Sequence, residues 1–212
     1  MENCMFYAVE YNVENLKIRA HTERPMVMPR AMVESTSIVS LRLTNGVANS
    51  LLLPKSFALL KLKILQLKRF IFSHRNYDGE LLLGCPVVEV LVLSHCRMTR
   101  CSKLKVLEVN SSSLKKLVIK NWSSPYKCFM KHMINVSAPN LVEFKLQGHI
   151  VRLNFNEPCL HVAWFDVRNP SGELLTSKRE NRIAQSLFDL LDQITHYTNK
   201  RLFLSFDSLW VL

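Results

Sequence analysis

Val88-Glu-Val-Leu91-Val-Leu93 places apolar residues at the first, fourth and sixth positions of a six-residue unit. The same unit recurs upstream as Leu62-Lys-Ile-Leu65-Gln-Leu67, Ile38-Val-Ser-Leu41-Arg-Leu43 and Val13-Glu-Asn-Leu16-Lys-Ile18. Downstream it returns as Leu104-Lys-Val-Leu107-Glu-Val109, Leu114-Lys-Lys-Leu117-Val-Ile119, Leu141-Val-Glu-Phe144-Lys-Leu146 and Val162-Ala-Trp-Phe165-Asp-Val167. The central residues Leu16, Leu41, Leu65 and Leu91 are separated by 25, 24 and 26 positions. Leu117 follows 26 later and Phe144 a further 27. A period of about 20–29 residues with this internal pattern is that of a leucine-rich repeat. Leu107 falls inside one period, so Lys103–Lys120 reads as two compressed turns; Phe165 comes 21 after Phe144, at the short end of the range.

Alternate residues of a strand point to opposite faces. In Leu41-Arg42-Leu43 the leucines therefore point inward and Arg42 outward. One repeat cannot cover its own inward pair, but the next repeat stacked upon it can, with the strands pairing in parallel. The expected fold is an α/β leucine-rich-repeat solenoid, with a parallel β-sheet on the concave side and loops and short helices on the convex side. Leu41, Leu65, Leu91, Leu117 and Phe144 should form one inward column. The chain reads as a single domain over 1–212, with about eight irregular repeats over 12–170. Pro25, Pro29, Pro54, Pro86, Pro139 and Pro158 fall between or just before strand units, where proline is tolerated. Ser177-Lys-Arg-Glu180 has the form of a capping box, and Ile183, Leu187, Leu190, Leu191 and Ile194 recur behind it at helical spacing. A helix is expected at about 178–196, and a final strand at 201–212, either cut mid-repeat or closing the sheet as a cap.

Of the 212 residues, 48% are hydrophobic and 21% charged, enough apolar material for a continuous core. The net charge is +11, a balance that favours nucleic acid, anionic membrane or acidic protein surfaces without choosing among them. Glu2, Glu10 and Glu14 interrupt the start, which excludes a secretory signal, and no stretch reaches the roughly 18 apolar residues of a membrane span. Cytoplasm or nucleus is the expected compartment. The six cysteines, Cys4, Cys85, Cys96, Cys101, Cys128 and Cys159, have no regular spacing, which in a reducing compartment points to free thiols.

No catalytic constellation is legible. The five glycines form no phosphate-cradling loop, and neither a nucleophile elbow nor a zinc helix occurs. His95, Cys96 and Cys101, with Cys85 upstream, lack the paired spacing of a zinc site and read as core or loop residues. No enzyme, cofactor or metal is expected. The outward strand positions carry the remaining signal. Of 24 such positions over eight units, eight are basic: Lys17, Arg19, Arg42, Lys68, Lys116, Lys120, Lys145 and Arg168. Three are acidic: Glu108, Glu143 and Asp166. Against 28 basic and 17 acidic residues overall, the enrichment is modest. A concave basic stripe of this kind could face an acidic peptide, a phosphorylated ligand or a nucleic-acid backbone; the alternative is a solvated sheet face. Aromatic platforms for stacking bases are not evident, which disfavours nucleic acid.

Several segments carry a family resemblance. Leu83-Gly-Cys-Pro-Val-Val-Glu-Val-Leu-Val-Leu-Ser-His-Cys96 resembles the "GCPVLEELVLxxC" segment of plant F-box/LRR proteins of the FBD type. Ser112-Ser-Leu-Lys-Lys-Leu-Val-Ile119 resembles their "SPSLKKLxI", and Ser137-Ala-Pro-Asn-Leu-Val-Glu-Phe-Lys-Leu-Gln-Gly148 their "APNLxxLxLxG". Ala8-Val-Glu-Tyr-Asn-Val-Glu-Asn-Leu16 is similar to "AVxRNVxxLxL" at the entry to the first repeat. The resemblance spans roughly residues 7–170. It implies repeats that present a protein substrate, and an F-box that docks to a Skp-type adaptor of a cullin–RING ubiquitin ligase. On this reading no F-box is expected before the first repeat, and the C-terminal FBD segment is expected to be missing or only begun. The expected function is a protein–protein interaction scaffold like the substrate-recognition region of an F-box protein. Its partner is a protein substrate, with the adaptor joined only where a longer form supplies an F-box. Neither membrane nor nucleic acid is an expected partner. The alternatives are a basic polyanion-binding repeat protein and a truncated fragment without independent function.

Overall fold

The computed structural model describes residues 2–21, 26–46, 51–52, 57–72, 80–98, 105–122, 132–148, 151–156, 158–167, 177–195 and 201–206. In chain order the elements are α1 (Glu2–Glu10), β1 (Asn15–Ala20), β2 (Met26–Val27), α2 (Arg30–Val33), β3 (Ser40–Asn45), β4 (Leu51–Leu52), β5 (Ile64–Lys68), β6 (Ile71–Phe72), β7 (Val90–Ser94) and β8 (Arg97–Met98). Then follow β9 (Val106–Asn110), β10 (Lys116–Lys120), β11 (Met133–Ser137), β12 (Glu143–Gly148), β13 (Leu153–Asn156), β14 (Val162–Val167), α3 (Ser177–Thr195) and β15 (Arg201–Phe206).

Eight strands form one parallel sheet in the order β1-β3-β5-β7-β10-β12-β14-β15. Its register follows the repeat: Leu16 faces Leu41, then Leu65, Leu91, Leu117 and Phe144. Leu41, Leu65, Leu91, Leu117 and Phe144 are all fully buried, so the inward column is as the spacing predicts. A second inward column, Ile18, Leu43, Leu67, Leu93, Ile119 and Leu146, runs beside it.

At the strand entries a single carbonyl accepts two N–H groups from the next repeat. Glu14 O takes Val39 and Ser40, Val39 O takes Lys63 and Ile64, and Lys63 O takes Glu89 and Val90. Glu89 O, Lys115 O and Val142 O continue the series. Two serine turns add cross-repeat tethers at the same edge: Ser37 Oγ donates to Val13 O at 3.3 Å, and Ser113 Oγ to Val88 O at 2.9 Å.

Among the described residues the return side carries the expected loops and a short helix, α2, and adds short strands. β9, β11 and β13 pair in parallel as a second sheet, and β2–β4 and β6–β8 form two-stranded pairs. Val106–Asn110 thus lies across the core from the concave sheet, and the stretch read as two compressed turns is one turn seen twice, outbound on β9 and inbound on β10. Leu107 and Val109 are fully buried, because a strand on either wall of the core needs the same alternation. The last unit is also displaced. Phe144 pairs with Ala163, and Leu146 with Phe165, so Phe165 belongs to the second column. Bulk is exchanged between columns: the Phe165 ring packs edge-on against Phe144 at 5.6 Å, where Ala163 leaves room.

Two helices bracket the described core. α1 was not legible as a helix; it buries Met5 and Ala8 and hands over to β1 through Asn12 in the left-handed region. α3 falls within a residue of the expected span and buries Leu190 and Ile194. Residues 207–212 of the expected final strand lie outside the described residues. Gly84 explains its motif: its φ is +80°, and a Cβ there would sit 1.8 Å from Phe57 O. The turn before β7 therefore admits glycine alone.

Candidate functional site: the concave face

Between the two inward columns each concave strand presents one residue outward. In register these are Lys17, Arg42, Gln66, Val92, Val118, Lys145, Trp164 and Phe203. The row changes character along the sheet. It is basic and exposed at Lys17 and Arg42, apolar at Val92 and Val118, and aromatic at Trp164 and Phe203. The two rings stack at 3.8 Å between centroids and 10° between planes, while each keeps about two fifths of its surface open (40% and 38%). Lys145 Nζ lies 5.7 Å above the Trp164 ring, a cation–π contact.

A parallel outward row follows toward the strand exits: Arg19, Thr44, Lys68, Ser94, Lys120, Gln147, Asp166 and Ser205. Here Gln147 Nε2 donates to Asp166 Oδ2 at 3.0 Å. Lys68 and Lys120 make no ion pair with any described residue and lie either side of Ser94. Immediately after the strands, Arg69, His95 and Asn121 adopt positive φ of 63°, 55° and 47°, and Gly148 occupies the same place at 98°. Each left-handed turn aims its N–H at the neighbouring repeat: Arg69 N donates to Ser94 O, His95 N to Lys120 O and Asn121 N to Gln147 O. Desolvation, followed by the cations Lys68 and Arg69, holds the His95 imidazole below its ordinary pKa.

The basic residues singled out from sequence are thus distributed rather than continuous. Lys17, Arg19 and Arg42 lie together on β1 and β3, and Lys68 and Lys120 bracket β7. Lys116 is neutralised by Glu143 at 2.7 Å, and Lys145 is engaged with Trp164. Glu108 lies on the return side, where Asn135 Nδ2 donates to it at 3.0 Å. Arg168 lies outside the described residues. The aromatic pair was missed because Val162-Ala-Trp-Phe-Asp-Val satisfies two registers. Ala163-Trp164-Phe165 fits inward–outward–inward as well as Phe165-Asp166-Val167 does, and a small residue at a column place conceals the first.

Of the cysteines considered as ligands, Cys85 and Cys96 are buried in the core, and Cys101 lies outside the described residues. Burial pushes the Cys85 thiol up to about 11 and the Cys96 thiol up to about 12. Cys96 Sγ lies 3.5 Å from both Leu67 O and Ser94 O, either of which can accept its one proton. These are core thiols, protonated at neutral pH.

Comparison with known proteins agrees with this architecture. The family description "FBD-associated F-box protein At5g56370, LRR repeats" matches residues 6–163. Among Arabidopsis thaliana proteins, the F-box/FBD/LRR-repeat protein At4g00315 is 33% identical over 106 residues, which is 50% of this chain and 23% of that protein. The F-box/LRR-repeat protein At1g55660 is 32% identical over 106 residues, 50% of this chain and 28% of its own length. The FBD-associated F-box protein At4g10400 is 26% identical over 183 residues, covering 81% of this chain and 42% of the relative. The chain thus spans less than half the length of these relatives. No solved structure matches. With a repeat period, a stacked parallel sheet and a family match over most of its length, the chain belongs to the leucine-rich-repeat family of FBD-associated F-box proteins.

Proposed function

We propose that this chain is a non-enzymatic interaction scaffold whose concave face holds an extended segment of another protein. Within a longer protein that supplies an F-box, it would act as the substrate-recognition region of an SCF-type ubiquitin-ligase subunit, in cytoplasm or nucleus. The observation that carries this reading is the exposed Trp164–Phe203 stack beside Lys145 on the outward row. Stacked aromatics held open on a rigid sheet offer large contact area at low entropic cost, and such residues dominate interface energetics. Val92, half-buried, carries apolar surface further along the same row. None of the described helices is long and apolar enough to cross a membrane.

Affinity capture from plant extract tests the reading. The chain should retain a stable protein partner, and Trp164→Ala should weaken that retention by about tenfold or more, the range of an interface anchor. A Skp-type adaptor should be recovered only with a form carrying an F-box. Retention untouched by Trp164→Ala would remove the concave face as the docking surface.

A further inference from the structure

The exit side of β7 carries an arrangement that a docking face alone does not require. Ser94 is buried at the outward position, flanked in register by Lys68 on β5 and Lys120 on β10. Neighbouring strands are about 4.8 Å apart, so both four-carbon stems can bring their ammonium groups over the serine from opposite sides. The hydrogen bonds fix what Ser94 can offer. A Cβ at Gly148 would meet Asn121 Oδ1 at 2.4 Å, so that oxygen faces Gly148, and Nδ2 is left to face His95 Nε2 at 3.2 Å. Nε2 is then an acceptor, and the neutral ring carries its proton on Nδ1. Nδ1 lies 2.9 Å from Ser94 Oγ and donates to it. The serine oxygen is thereby occupied as an acceptor, and its own O–H remains to donate.

A hydroxyl donor between two ammonium groups that pair with no described residue is a receptor for one oxyanion. Arg69 adds positive charge at the rim, and Arg97 follows on β8. The acidic member of the same outward row, Asp166, lies two strands beyond Lys120 and is engaged by Gln147. Two lysines are balanced by a dianion, which a phosphate monoester provides near neutral pH and a carboxylate or a phosphodiester does not. We propose that Lys68, Ser94 and Lys120 form a notch on the concave face that takes the phosphate monoester of a phosphorylated side chain on the partner segment. This rests on the docking role of the concave face and adds the chemistry of what is docked there.

The test uses the full chain with acetyl-phosphoserine amide, inorganic phosphate, acetyl-serine amide and a short thymidine oligonucleotide as probes, read by calorimetry and by the imidazole resonances of His95. Phosphoserine amide should bind and the unphosphorylated amide should not. The bound dianion should raise the titration midpoint of His95, because it offsets Lys68 and Arg69. Lys68→Gln/Lys120→Gln should lower affinity at least tenfold, whereas Lys68→Arg/Lys120→Arg, which keeps both charges, should retain binding. Ser94→Ala should cost severalfold. Lys17→Gln/Arg42→Gln, at the far end of the sheet, should change nothing. Equal losses from the far-end pair would mean diffuse attraction, and an oligonucleotide bound more tightly than phosphoserine amide would mean a polyanion surface; either result overturns the notch, as does an unmoved His95. Partner retention lost in Trp164→Ala but kept in Lys68→Gln/Lys120→Gln would sink the notch and leave the docking face standing. Retention indifferent to both would sink the docking face itself.

Discussion

Leu91 and Arg42 show how differently two residues of one strand pattern bear on stability. Leu91 is fully buried mid-column, and Arg42 projects outward. Leu91→Ala should cost about 2–5 kcal/mol through lost burial and the cavity left behind. Arg42→Ala should stay within about 0.5 kcal/mol in the absence of a partner. Leu16, half-buried on the first strand of the sheet, should fall between them, and denaturant melts of the three variants will rank them. The buried thiols make a second test. Cys159, which is exposed, should be labelled by a thiol reagent under native conditions well before Cys85 and Cys96. The unfolded chain ionises these two thiols from about 9.0, while the folded chain keeps them protonated toward 11 and 12. Between those values the native state binds more protons, so stability must fall as pH rises through that window. A Cys85→Ala/Cys96→Ala variant should be weaker at neutral pH yet show a shallower loss there; an unchanged slope would contradict the burial.

At the level of elements, the column from Leu41 to Phe144 was readable because one period and one alternation agree at every step. β9 was not, because strands on the two walls of a solenoid carry the same inward leucines. Leu107 and Leu117 are indistinguishable by pattern, and only their partners, Ile134 and Leu91, tell the walls apart. β14 failed for a different reason. Its six residues admit two registers, and packing of Phe165 against Phe144 decided between them. That two-residue displacement moved Trp164 from an unremarkable place to the centre of the outward row, so the aromatic part of the candidate site was invisible while its lysines were not. α1 lacks a repeat to announce it, and its buried Met5 and Ala8 provide too short a pattern to stand out.

Taken whole, the described residues form a concave wall of one eight-stranded parallel sheet and a return wall of shorter parallel strands, and the two walls end differently. The concave wall continues from β14 to β15, where Val162 pairs with Arg201. On the return wall, α3 lies against β13 instead of another strand. There Gln193 Oε1 accepts the Phe155 N–H at 3.2 Å, a main-chain donor that an added strand would claim. A sheet edge with free donors is a template for a second chain, and coverage by a helix is one way to blunt it. Gln193 therefore does for the return wall what a stopper does for a zip. Gln193→Leu keeps the packing volume but releases that donor, and it should bring concentration-dependent self-association in sedimentation experiments. A variant that stays monomeric at high concentration would show that the bulk of α3 suffices. Self-association of the variant would instead make the side-chain amide that closes the edge a colloidal safeguard, guarding solubility and not shape.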